Sequence, residues 1–274
     1  MNKQVSDMNN NYNGTGTRQW SNKSINFQTG CEHNCLVCYA KDMSIKYKQT
    51  TKDNWDKPTI RLQDVNKKIN KWTESLVMFP SSHDITPNNI IEAKTVLRKI
   101  LEADNDVLIV SKPHYDCIKQ ICDEFTDYKE RILFRFTIGS YDNDVLKFWE
   151  PNAPSLYERL KSLKYAFDNE FETSISCEPM MDNRVDKVID AVRPYVTETI
   201  WIGKVNQMWS RLKRNTDMND ELVKKAEQLD QWQSDENIMK LYEKYKDDPM
   251  IKWKDSIQRV IAGKKVNKKV KKVV

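Results

Sequence analysis

Cys31, Cys35 and Cys38 stand in the run Gly30-Cys31-Glu32-His33-Asn34-Cys35-Leu36-Val37-Cys38-Tyr39-Ala40, which puts three thiols on one short loop. A cubane iron–sulfur cluster is normally held by four protein thiolates. Three would leave one iron open, able to take a small chelating molecule and so become a reaction centre rather than an electron carrier. Two other chemistries use the same residues. Zinc could take the three cysteines with His33 as fourth ligand, although no second Cys-x-x-Cys follows downstream. A disulfide would leave one of the three cysteines unpaired. The zinc reading, with a lysine-rich tail on nucleic acid, describes a non-enzymatic zinc- or Fe–S-binding, nucleic-acid-associated protein.

The loop needs elements to position it. After a polar, Asn-rich stretch over residues 1–18, expected to be flexible, short β-rich runs alternate with longer helical patterns. The expected strands are Lys23–Gln28, Leu76–Pro80, Val107–Lys112, Leu133–Gly139, Thr173–Cys177 and Thr199–Gly203. Expected helices are Tyr39–Gln49, Pro87–Ala103 with Thr86 as cap, His114–Phe125, Pro154–Asn169 with Ser155 and Glu158 at capping-box spacing, and Asp182–Val192. Thr51–Lys71 reads as a polar insertion. Strands that alternate with crossovers, several of them almost wholly apolar, imply parallel pairing with helices outside. The fold class is therefore α/β, a partial (β/α)6 TIM-like barrel over residues 19–206. A C-terminal helical extension follows over 207–262, read as Asp220–Trp232, Glu236–Tyr245 and Met250–Ile261, then a basic tail over 263–274.

In parallel barrels, reactive groups gather where strands end. Those positions hold Ser81-Ser82-His83-Asp84, Ser111-Lys112-Pro113-His114, Gly139-Ser140-Tyr141-Asp142, Cys177-Glu178-Pro179, and Gly203-Lys204 with Asn206. Carboxylates and hydroxyls there suit an ammonium group and a ribose diol, and a lysine suits a carboxylate.

The cysteine loop resembles the signature of the radical S-adenosylmethionine superfamily. The segments Phe79–Pro87, Leu108–Pro113, Ile138–Ser140, Trp149–Pro154 with Arg159-Leu160, and Ser176–Pro179 resemble its spore photoproduct lyase-like, or DNA repair photolyase-like, branch. The similarity covers about residues 20–206, with Trp253-Lys254-Asp255-Ser256-Ile257 as a further element. It implies a [4Fe–4S] cluster on Cys31, Cys35 and Cys38, with S-adenosyl-L-methionine on the open iron, split reductively to a 5'-deoxyadenosyl radical. By matching position Lys112 and Ser140 would help to bind S-adenosylmethionine. Ser82 and Asp84 stand where relatives carry a glycine-rich turn ending in Glu. Val37 replaces an aromatic residue common before the third cysteine, which leaves the adenine to be covered by Tyr39 or by a residue elsewhere. Cys177, as hydrogen donor, and Glu178 are the catalytic candidates. A low-potential reductant such as flavodoxin or ferredoxin is implied as partner, and a nucleic acid is the candidate substrate.

Composition narrows the setting. The chain has 274 residues, 45 Lys and Arg, 40 Asp and Glu, and a net charge of +5. The six lysines from Lys264 to Lys272 account for that excess; without them 39 basic residues face 40 acidic ones. The body is thus near neutral and does not advertise a duplex-binding face. Three clustered and three isolated cysteines do not read as a disulfide framework, so a reducing, cytoplasmic setting is expected. No apolar run approaches the ~20 residues that span a bilayer, and the polar start lacks the pattern of a secretory leader.

Overall fold

A computed structural model describes residues 14–72 and 76–263. Residues 1–13 of the expected flexible segment and 264–274 of the expected basic tail lie outside it. Seven strands form one sheet, all parallel to their neighbours: β1 (Lys23–Ser24), β4 (Val77–Met78), β5 (Val107–Ser111), β6 (Ile132–Thr137), β7 (Glu172–Cys177), β8 (Ile200–Ile202) and β9 (Ile251–Trp253), in that order. A short antiparallel ribbon, β2 (Gln28–Thr29) with β3 (Thr59–Ile60), stands beside it. The sheet is an open, barrel-like α/β fold.

Helices α1 (Tyr39–Lys46) and α2 (Leu62–Asn66) lie in the first crossover, and α3 (Ile90–Glu102), α4 (Tyr115–Glu124) and the pair α5 (Asn143–Trp149) and α6 (Leu156–Asp168) in the next three. Helix α7 (Val185–Val192) links β7 to β8. The last crossover carries α8 (Met208–Asn215), α9 (Asp220–Trp232) and α10 (Asp235–Tyr245), and α11 (Asp255–Ile261) follows β9. Side chains alternate along each strand. Ile132, Phe134 and Phe136 of β6 join Ile175 and Cys177 of β7 in the layer under the helices. Their neighbours Leu133 and Arg135 point inside, where Leu133 packs with Trp20, Leu76, Met78 and Leu108. Arg135 is fully buried there, paired with Glu198 at 2.8 Å and stacked 5.0 Å from the Trp20 ring.

Three expectations change. Residues 251–253 form a seventh strand instead of the start of a helix, because Ile200↔Ile251 and Ile202↔Trp253 extend the sheet. Helix α3 starts at Ile90, with no cap from Thr86, whose buried hydroxyl finds no partner; Asn89 accepts the Thr86 N–H instead. Residues 14–18, read as part of a flexible lead-in, lie against the fold: Gly16 N–H donates to Asp255 Oδ1 at 3.1 Å, and Lys254 Nζ donates to Gly16 O at 2.7 Å. These bonds are to the backbone, which leaves no apolar pattern in the sequence. The Ser155 cap of α6 is as expected, its Oγ accepting from Glu158 N.

Candidate active site

The cysteine loop follows β2 and ends in α1. Gly30 adopts φ +87°, and a Cβ there would lie 2.6 Å from the Trp55 carbonyl, so glycine alone fits the turn into Cys31. Cys31 N–H donates to that same carbonyl at 2.8 Å. The far side of the loop is held by other elements: Leu36 N–H donates to Trp149 O at 2.9 Å, and Asn215 Nδ2 donates to the carbonyls of Leu36 and Cys38 at 3.0 and 2.9 Å. Cys38 caps α1, its sulfur accepting from Lys41 N at 3.4 Å. A thiolate at a helix N-terminus is favoured by the amides it faces.

All three cysteines are free thiols lining one cavity of about 430 Å³. Burial raises the pKa of each, Cys31 to about 12. The sulfurs therefore become anionic when a metal displaces the proton. Among the described residues the trio of ligand-type atoms lying within 4.8 Å of one another is Cys31, His33 and Asp84, not the three cysteines. Tetrahedral zinc at 2.3 Å would draw thiolates to about 3.8 Å from one another. His33 is also committed, Nδ1 to Asp84 Oδ2 at 3.0 Å and Nε2 to His114 Nε2 at 3.0 Å. The three cysteine sulfurs are therefore not gathered at zinc spacing in this structure.

Next to the sulfurs is a buried charge network. Asp84 Oδ1 accepts from Ser111 Oγ at 2.8 Å and from Lys112 N at 2.7 Å. The Lys112 ammonium lies 3.9 Å from both Asp84 Oδ2 and Glu150 Oε1, and Glu150 is paired with buried Arg159 at 2.7 Å. Burial would raise the Asp84 pKa, but His33, Lys112 and the Ser111 bond outweigh it and hold the carboxylate ionised. Burial would lower the Lys112 pKa, and Cys35, Glu150 and Asp84 more than reverse that. The result is a lysine held protonated and a carboxylate held anionic beside the cysteine loop.

The other wall comes from the later strands and from residues 15–18. Glu178 lines the cavity and pairs with fully buried Lys254 at 3.2 Å. Burial raises the Glu178 pKa and lowers that of Lys254 to about 8. Arg18, Lys204, Asn206 and Arg211 line the same space.

The structure thus brings Cys31, Cys35, Cys38, Tyr39, Ser82, Asp84, Lys112 and Glu178 together around one cavity. It does not bring Ser140 or Cys177 there. The Ser140 hydroxyl is turned to Asp182 Oδ2 at 2.5 Å. Strand alternation puts Ser176 on the cavity and Cys177 among the packed side chains of the outer core. Sequence reasoning gave no site role to Trp55, Asn215 or Arg211. Asn215 and Arg211 sit far along the chain, and nothing local to them signals a role at the loop. The Tyr39 hydroxyl donates to Ser81 O, which ties the start of α1 to the end of β4.

His83, also on the cavity, yields a test of this burial. Its Nε2 accepts from Phe27 N at 3.3 Å, and burial lowers its pKa to about 4. The unfolded chain, with a histidine near 6.5, binds more protons between those values, so stability rises with pH across that window. Acidification from pH 6.5 to 4 is expected to remove about 3 kcal/mol through His83 alone. His114, also lowered by burial, adds in the same direction. The His83 share is therefore read as the difference in slope between wild type and His83→Asn, by urea unfolding at several pH values.

No family model matches the chain. A cysteine-to-alanine mutant of spore photoproduct lyase matches with a TM-score of 0.55 at 16% identity, over 84% of this chain and 75% of that one. Streptococcus suis SuiB bound to S-adenosylmethionine matches with a TM-score of 0.50 at 10% identity, over 84% of this chain and 49% of SuiB. The chain thus spans about half the length of SuiB. In sequence, an uncharacterized protein, ORF301 of Acidianus two-tailed virus, is 23% identical over 223 residues, 77% of this chain and 73% of the relative. The chain thus shares the fold of spore photoproduct lyase and of SuiB.

Proposed function

We propose that this protein is a radical S-adenosylmethionine enzyme, with Cys31, Cys35 and Cys38 as ligands of a [4Fe–4S] cluster and S-adenosylmethionine held against the strand ends. The observation that carries this reading is the convergence of three free thiols, ionised Asp84 and protonated Lys112 on one cavity of a barrel-like parallel sheet. When bound, the cluster and S-adenosylmethionine supply an electron, a broken sulfonium C–S bond and a 5'-deoxyadenosyl radical that takes hydrogen from a substrate.

The chain's own residues bind and orient. Lys112 touches its two carboxylates only at 3.9 Å, which leaves ammonium protons for a ligand carboxylate. Asp84 fixes Lys112 and gives the site a negative end for an ammonium group. Tyr39 and Ser82, on facing elements, flank the space for the nucleoside. Glu178, clamped by Lys254, presents a carboxylate from the opposite wall. The cations Arg18, Lys204 and Arg211 on the same cavity support a substrate with anionic groups, and the likeness to a spore photoproduct lyase favours nucleic acid. An external flavodoxin or ferredoxin in a reducing cytoplasm would supply the electron. Among the described residues no helix is long and apolar enough to cross a membrane.

Anaerobic reconstitution is the test. It should give a brown protein with about four irons per chain and release 5'-deoxyadenosine on reduction. A colourless protein that binds zinc alone would refute the assignment. Absence of binding to lesion-containing oligonucleotides at physiological salt would remove the nucleic-acid part only.

A further inference from the structure

Helix α1 runs from the cap at Cys38 to the surface, and Tyr39, Met43 and Tyr47 follow one another at four-residue spacing on one side of it. They are 38%, 42% and 61% exposed. Single exposed apolar side chains are ordinary; three aligned on one helix face make a patch that calls for a partner. The patch has a basic rim. On residues 39–48 the acid, Asp42, is buried and paired with Arg214 of the packed neighbour α8, and Lys41 is buried too, so the rim is made by Lys46 and Lys48. Lys46 and Lys48 are exposed, and Lys46 Nζ lies 5.8 Å from the Tyr47 ring. Cys38, at the root of the helix, is the least buried of the three cysteines.

We propose that the exposed face of α1, formed by Tyr39, Met43 and Tyr47 with Lys46 and Lys48, docks an acidic electron-carrier protein that reduces the cluster. This rests on the radical reading above and deepens it by locating the partner. An electron has to arrive while the cavity is filled by S-adenosylmethionine and substrate, and α1 joins the surface to a sulfur ligand in one covalent run. One electron leaves the donor's flavin or iron–sulfur centre and arrives on the cluster; no bond forms or breaks. A basic rim steers an acidic partner and speeds its approach at low salt. A central methionine suits adaptable, short-lived protein contact, whereas a base-stacking platform uses aromatic planes. Transient electron-transfer complexes need only small interfaces.

The experiment titrates flavodoxin, and separately a plant-type ferredoxin, into the reconstituted protein by calorimetry. Wild type is compared with Met43→Asp/Tyr47→Asp and with Lys46→Glu/Lys48→Glu, all at exposed positions. Both double variants are expected to weaken donor binding at least ~10-fold, and wild-type binding should weaken as salt rises. Donor-driven 5'-deoxyadenosine release should fall in step, while dithionite-driven release stays at the wild-type level. Equal donor binding by wild type and variants would overturn the proposal. So would variants that lose oligonucleotide binding and keep donor binding, since the stripe would then serve nucleic acid. If wild type binds the donor through this face yet releases no product with either reductant, the enzymatic reading fails and the docking face stands. Dithionite turnover without donor binding has the reverse meaning.

Discussion

Cys35→Ala is expected to drop the iron content of the anaerobically reconstituted protein from about four per chain to less than about one, and to reduce 5'-deoxyadenosine release below detection. The fold should survive, because the loop is held by backbone bonds that do not involve this thiol. Leu36 N–H reaches Trp149 O, Cys31 N–H reaches Trp55 O, and Asn215 bridges two carbonyls. Removing one of three ligands leaves two thiols on the cavity, and burial keeps both protonated unless metal is bound. Unchanged far-UV circular dichroism with lost visible absorption separates loss of ligation from loss of fold. A Cys35→Ala variant that keeps its iron and still releases 5'-deoxyadenosine would defeat the assignment of these three cysteines.

Much of this arrangement was legible in the chain, for identifiable reasons. The cysteine spacing is local and can be read without knowing the fold. Strands β5, β6 and β7 are long and bounded by helical patterns, and β5 and β6 are largely apolar, so their parallel pairing followed from period and length. Strand β9 was not legible: three residues, Ile251–Trp253, sit between two helices, and only the exposed edge of β8 makes them a strand. Residues of a strand end could be assigned to the right end of the barrel but not to a face. Ser176 and Cys177 are adjacent and point in opposite directions, and a one-residue shift in register decides which meets the cavity. Lys254 and Arg211 reach the site from the C-terminal third of the chain, so their roles depend on how α8 and β9 close against the early loop.

Lys112→Met carries the second large effect. The ammonium lies between Asp84 and Glu150, and both acids are buried. Taking the cation away leaves two carboxylates facing each other out of water, and loss of one member of a buried charge network costs about 3–5 kcal/mol. Arg159 still neutralises Glu150, and His33 still bonds to Asp84, which favours the lower end of that range. A second loss falls on the ligand. A charged hydrogen bond to the carboxylate of S-adenosylmethionine is worth about 1.5–3 kcal/mol, so its affinity should fall by roughly 10- to 150-fold. Lys112→Arg restores the charge and separates the two effects. Its stability should recover most of the way, while a planar guanidinium, larger than the ammonium it replaces, restores affinity only in part. Urea unfolding and equilibrium binding of S-adenosylmethionine to the reconstituted protein read the two quantities independently. If Lys112→Met loses stability but binds S-adenosylmethionine as wild type does, Lys112 is a brace between two acids and not a ligand to the cofactor.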